Sequence, residues 1–268
     1  MTMEGHLEVL RKMLFRILFV TLFLTIFVFV FRQQTFSIIL APKDSNFVFY
    51  RGVEWFLHLL GIDYHFEAFN IELISTELSA QFMLHISTSL YVSILLASPY
   101  IVYELFRYIS PALYDNEKKY SIPIVFIIYI LFAIGILMTY YILFPFSFRF
   151  LGTYQVDASV KNTITLTSYI STLISMSLVM GIVFQLPVLS YILGKLGLIS
   201  YSLLAQYRKW AIMLILTLSA IITPPDIFTL IMVALPLYLL YEISIIILKR
   251  LQRKEATLED EQNQDNNN

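Results

Sequence analysis

Six stretches of this chain contain no Asp, Glu, Lys or Arg: Ile17 to Phe31, Phe82 to Ser98, Tyr120 to Phe148, Asn162 to Gly194, Trp210 to Pro225 and Ile227 to Tyr241. The last resumes past Glu242 as Ile243 to Leu248. Charge-free apolar runs of this kind, repeated along one chain, read as membrane-spanning helices. The fifth run is anomalous. As a helix it is only about 24 Å long, short of a hydrocarbon core of roughly 30 Å. It meets the sixth run at Thr223-Pro224-Pro225-Asp226. A tight turn accounts for that junction. So does a bundle wall thinner than the bilayer around it, with Asp226 reaching water or a polar pocket, because an unpaired carboxylate in hydrocarbon costs on the order of several kcal/mol.

The expected fold is therefore all-α, a polytopic bundle of six transmembrane helices near residues 14-32, 81-106, 121-148, 164-193, 209-224 and 227-248. They form a single domain over 1-250, and a polar, low-complexity tail over 251-268 is expected to be disordered. Composition agrees: 58% of residues are hydrophobic, 14% are charged and the mean hydropathy is +0.74, too apolar for a water-soluble domain of 268 residues. The third and fourth runs exceed about 20 residues, so their ends are expected to hold interfacial or loop residues. Arg16 and Arg32 flank the first run, which lacks a small-residue cleavage site and reads as a retained helix.

An even number of spans puts both termini on one side. That side collects 13 of the 18 Lys and Arg residues, against 5 on the other, which makes it the cytoplasmic side or its matrix or stromal equivalent. The longest connection, near 32 to 80, then lies on the opposite side, and its "VEWFLHLLGIDYHFEAF" is expected to contain a helix along the membrane surface.

The same residues exclude several chemistries. A net charge of -1 leaves no nucleic-acid footprint, and the absence of cysteine removes disulfides, thiolate metal sites and a Cys nucleophile. Phosphate-cradling, zinc-protease and nucleophile-elbow motifs are missing, which argues against an ATP-driven pump or a membrane protease, and no cofactor is expected. His58, His65 and Glu67 share one loop without a recognised metal-ligand spacing. His85 lies inside the second span, either as a functional group or as a neutral imidazole bonded to a neighbouring helix. Glu104 and Glu117 bracket "LFRYISPALYDN", where Pro111 breaks the helix. Glu117 is placed either to cap the third span or to accept a guanidinium in bidentate fashion.

"ASPYIVYELFRYISPALYDNEKKY" (Ala97 to Tyr120) and "ITPPDIFTLIMVALPLYLLYE" (Ile222 to Glu242) resemble the two most diagnostic segments of the TatC family, the six-span core subunit of the twin-arginine protein translocase. "GHLEVLRKMLFR" resembles that family's first cytoplasmic motif and "GIVFQLPVLSYILGKLGLIS" its fourth span, so the likeness runs from about His6 to Glu242. The resemblance implies a non-enzymatic receptor for the twin-arginine signal peptides of folded cargo, powered by the proton-motive force. Glu117 matches the main arginine-binding position. Glu8, Arg11, Pro99, Glu104 and Tyr108 fall in the surrounding recognition region, with Pro111 and Leu113 shaping the loop. Thr223, Pro224, Pro225 and Asp226 match a loop on the far side and the docking surface for TatA- or TatB-like single-span subunits. Further copies of the chain and the lipid bilayer are the other implied partners.

Four positions depart from the family pattern. The usual Glu of the first motif falls on Val9, with Glu8 one residue and about 100° of helix away. The motif's second Arg is Met13. Gln185 stands where many members carry a membrane-buried Glu, and Leu230 where the docking surface is often Gln. Glu242 and Pro236 add a polar group and a kink to the last span. Few Gly and abundant Ile, Phe, Tyr and Asn favour an AT-rich genome, hence the mitochondrial inner membrane, with a plastid thylakoid or bacterial plasma membrane as alternatives. Two rival functions remain at this point: a transporter or proton channel relaying through His85, Glu104, Asp226 and Glu242, and an assembly subunit of a respiratory complex.

Overall fold

Among the described residues each charge-free run folds largely as helix, and proline stands at two of the places where a run is divided. In the computed structural model, which describes residues 3–63, 71–109, 121–155, 157, 162–223 and 226–265, the chain forms α1 (Met3–Val30), α2 (Arg32–Leu40), α3 (Val48–Leu59), α4 (Ala80–Ile109), α5 (Ser121–Met138), α6 (Phe144–Thr153), α7 (Leu166–Val183), α8 (Leu186–Lys195), α9 (Tyr201–Gln206), α10 (Arg208–Ile222) and α11 (Ile227–Asp265). Two short strands, β1 (Leu73–Ile74) and β2 (Ile164–Thr165), pair in parallel, Leu73 with Ile164 and Ile74 with Thr165. Among the described residues five helical stretches are long and apolar enough to cross a membrane: Leu7–Val30, Ala80–Leu105, Val125–Thr153, Leu166–Lys195 and Ile227–Lys254. The helix expected as the fifth span is α10, whose 15 residues reach only about 22 Å.

The contacts divide the chain into two compact units, Met1–Leu178 and Val179–Asn268. In the first unit α1 packs along α4. Phe15, Phe19 and Phe23 recur every four residues on α1 and are more than 60% exposed, whereas Met13 and Val28 are buried. A ridge of exposed phenylalanines is tolerable where the solvent is lipid. Between the two helices Thr25 and Ser93 join hydroxyls at 2.6 Å, and Ser93 also donates to the Leu90 carbonyl. His85 settles into the structural one of its two readings. Its Nε2 lies 3.1 Å from the Phe29 carbonyl, which can only accept, and its ring stacks on Phe29 at 4.0 Å.

Pro99 lies inside α4 and cannot donate to the Leu95 carbonyl four residues back; the Ser98 hydroxyl does so instead, at 2.7 Å. Pro145 poses the same problem, and the backbone there widens into a π turn over Thr139–Leu143 before α6 begins. Pro187 separates α7 from α8.

The connection between the first two spans is tied down by phenols. Tyr140, Tyr169 and Tyr50 donate to the carbonyls of Ile38 (2.6 Å), Ile39 (3.0 Å) and Pro145 (2.9 Å) respectively. Tyr50 projects from α3, the surface helix anticipated in this loop, and its ring lies under the Arg149 guanidinium. Burial raises the Tyr50 phenol above its ordinary pKa, against the pull of Arg149, so it remains a donor. Rings of Phe144, Phe148 and Tyr169 pack edge to face at 4.9 Å beside this clasp.

In the second unit α8 and α10 both pack on α11. Gly194 lets α8 approach α11 closely, since a Cβ there would overlap the end of the Leu248 side chain unless that side chain shifted. Tyr241 donates to the Leu204 carbonyl at 2.7 Å, and the Gln252 side chain accepts from the Tyr201 amide at 3.2 Å, fastening α9 to α11. α11 does not stop near 248: it continues to Asp265 through residues expected to be a disordered tail. Apart from Thr257 and Asp260, residues 249–262 are Lys, Arg, Gln, Glu, Leu and Ala, strong helix formers with little reason to unwind.

Candidate functional site

At two carboxylate stations in the described helices, one in each unit, a glutamate is held by arginine and tyrosine side chains. In the first, Glu104 of α4 is 3% exposed, and its Oε2 lies 3.1 Å from Arg16 Nη2 of α1. Tyr100, one turn earlier on α4, donates its hydroxyl to Oε1 at 3.0 Å, and Arg107 Nη1 stands 3.6 Å from the same oxygen. A buried carboxylate is costly unless paired and hydrogen bonded, and this one has both kinds of partner. Two guanidiniums share one carboxylate, so the station carries an excess positive charge.

In the second station Glu242 of α11 receives Arg208 of α10 through both oxygens. Nε lies 3.0 Å from Oε1 and Nη2 3.0 Å from Oε2, the fork-to-fork geometry that only arginine offers. Tyr238, again one turn earlier, donates to Oε1 at 3.0 Å. The Glu242 side chain is 27% exposed. The two stations share a sequence pattern, Tyr-x-x-Tyr-Glu, as "YIVYE" at Tyr100 to Glu104 and "YLLYE" at Tyr238 to Glu242. Helical spacing explains why the pattern works: residues i and i+4 lie on one face, which brings the first Tyr onto the Glu. The repeat was there to be read. The arginines were not, because Arg16 and Arg208 lie 88 and 34 residues from their carboxylates.

The other expected site residues are dispersed. Glu8 and Arg11 are exposed on the first turns of α1, with Glu8 paired to Lys12 at 2.8 Å. Met13 is 3% exposed, so the departure from Arg at that position is a core contact. Val9 is exposed and Leu230 half-buried. Pro99 and Tyr108 are half-buried on α4. Glu117, Pro111, Leu113, His65, Glu67, Pro224 and Pro225 lie outside the described residues. Thr223 is buried as the C-cap of α10, its amide and hydroxyl both donating to the Ser219 carbonyl at 2.9 Å. Asp226 caps α11: Oδ1 accepts the Thr229 amide at 2.7 Å and Oδ2 the Thr229 hydroxyl. Gln185 occupies the N-cap position of α8 and donates to the Gly181 carbonyl at 3.2 Å. Among the described residues no group of three His, Asp or Glu side chains could hold a metal ion. Guanidinium exchange and helix fastening are the chemistry such stations can perform.

Comparison with known proteins gives one answer at every level. The sequence profile of TatC, "Sec-independent protein translocase protein (TatC)", matches residues 5–236. A "Sec-independent protein translocase protein TatC" of Blattabacterium sp. subsp. Periplaneta americana is 36% identical, covering 93% of this chain and 96% of the relative. One of Desulforapulum autotrophicum is 30% identical over 96% of this chain and 87% of its own length. Among solved structures, "Crystal Structure of Twin Arginine Translocase Receptor- TatC" superposes with a TM-score of 0.72 at 32% identity, covering 91% of this chain and 98% of that one. These sequence relatives are bacterial and lend no support to the mitochondrial membrane that composition favoured.

Proposed function

This chain belongs to the TatC family of Sec-independent protein translocase proteins, and from that premise we propose that it is the receptor and membrane core that accepts twin-arginine signal peptides. The observation that most supports the reading is the likeness to a solved twin-arginine translocase receptor over nearly the whole chain. Glu117 is the proposed acceptor for the cargo's arginines. It follows the Ile109-Ser110-Pro111 break and precedes the third span, where a carboxylate can meet a guanidinium in a partly dehydrated setting. Glu8 and Arg11, exposed on α1, are proposed to line the approach. Six spans with both termini on the cytoplasmic side follow from the Lys and Arg distribution if α10 crosses as a short helix. The cargo moves without covalent chemistry, the proton-motive force supplies the work, and TatA- or TatB-like single-span subunits and further copies of the chain complete the machine. A bacterial plasma membrane suits the sources of its relatives.

The relay reading finds no support in the bonding. His85 is engaged with a backbone carbonyl, Asp226 caps a helix, and Glu104 and Glu242 hold arginines. The receptor reading is tested by site-specific crosslinking of a twin-arginine peptide to a probe beside Glu117, in the wild type and in Glu117→Gln, with a twin-lysine peptide as control. Crosslinks that need both Glu117 and the arginines are expected. Equal labelling in every case would reduce Glu117 to a helix cap and sink the proposal.

A further inference from the structure

A protein that recognises cargo by its arginines must keep its other carboxylates from answering to them. Glu242 is the one most in need of restraint. It has a Tyr hydroxyl on Oε1, a partly exposed carboxylate, and an apolar groove beginning at the same tyrosine, a cavity of about 160 Å³ lined by Ile212, Ile215, Leu216, Ala234 and Tyr238. A carboxylate beside an apolar groove suits an arginine followed by apolar residues, the chemistry of the cargo signal itself. In the folded chain this position is already taken. Arg208 fills both oxygens with its fork, in the place an incoming guanidinium would occupy.

We propose that Arg208 is a specificity-determining residue: a built-in stand-in for a cargo arginine that masks Glu242, so that paired arginines are received elsewhere on the chain. The inference rests on the receptor reading given above. The first station supplies the internal contrast. Glu104 has the same tyrosine pattern but is 3% exposed and carries two guanidiniums, Arg16 and Arg107. Losing Arg16 leaves Arg107 beside Oε1 and the carboxylate out of reach. Losing Arg208 bares Glu242, which has no second cation among the described residues.

The test is titration of the full chain in lipid nanodiscs with a synthetic peptide that carries paired arginines ahead of an apolar stretch, alongside its twin-lysine counterpart. Wild type and Arg16→Gln are expected to give a single binding component. Arg208→Gln is expected to gain a second component that weakens with salt, prefers arginine to lysine and vanishes in Arg208→Gln/Glu242→Gln. Arg208→Lys keeps the charge but not the fork, so the same component appears more weakly, and it decides the matter should Arg208→Gln not fold. If the pair merely fastens α10 to α11, the folded variants lose thermal stability and still bind with a single component, and the inference is overturned while the receptor reading stands. No peptide binding by the wild type would overturn both.

Discussion

Glu104 shows how a buried carboxylate is held between two helices. At 3% exposure Arg16, Arg107 and Tyr100 stand in for its water. Removing one partner of a buried pair leaves the other charge stranded, at a cost of about 3 kcal/mol or more. Glu104→Gln and Arg16→Gln are therefore each expected to lower unfolding stability in detergent, with the double variant much less affected than their sum. Additive losses would mean the pair is not coupled. Tyr50→Phe removes a hydroxyl that donates to the Pro145 carbonyl at 2.9 Å and lies 3.4 Å from that of Pro42, and about 1 kcal/mol should follow, read as faster amide exchange across residues 41–59. The depth of Glu104 in an apolar segment was legible in the sequence. Its engagement was not, because an ion pair across helices leaves no trace in local spacing.

At the scale of elements the sequence was a good guide to where helix forms and a poor one to where it bends or ends. Five of the charge-free runs coincide with helical stretches apolar enough to cross a membrane, because hydrocarbon tolerates little else. The π turn before Pro145 and the two-helix construction of the fourth run depend on how each freed carbonyl is satisfied, which only packing decides. Asp226 was legible as special and proved to be a cap, so Asp226→Ala should cost about 1 kcal/mol of stability, while Asp226→Asn, which keeps the accepting oxygen, should cost less. An equal loss from both would point to its charge instead. Gly194→Val presses a branched side chain into Leu248 where α8 meets α11, and a penalty of about 1–3 kcal/mol is expected in thermal unfolding.

For the molecule as a whole, the absence of cysteine gives a clean background for mapping sidedness. Single cysteines introduced at Thr2 and Asn268 should react with a membrane-impermeant thiol reagent from the same side, and one at Asp44 from the opposite side; labelling of Thr2 and Asn268 from opposite faces would mean that α10 does not cross. The family, the helical class and the apolar character were all legible at this scale. The division of contacts into two units was not, since nothing in an unbroken series of apolar runs marks a seam. The last candidate span ends at Lys254, yet α11 winds on to Asp265, eleven further residues or about 16 Å at 1.5 Å per residue. Standing along the membrane normal with Lys254 at the headgroups, a rod of that length would set a stand-off distance: whatever gripped its tip would be held roughly two Debye lengths away at physiological salt, beyond most of the membrane's surface charge.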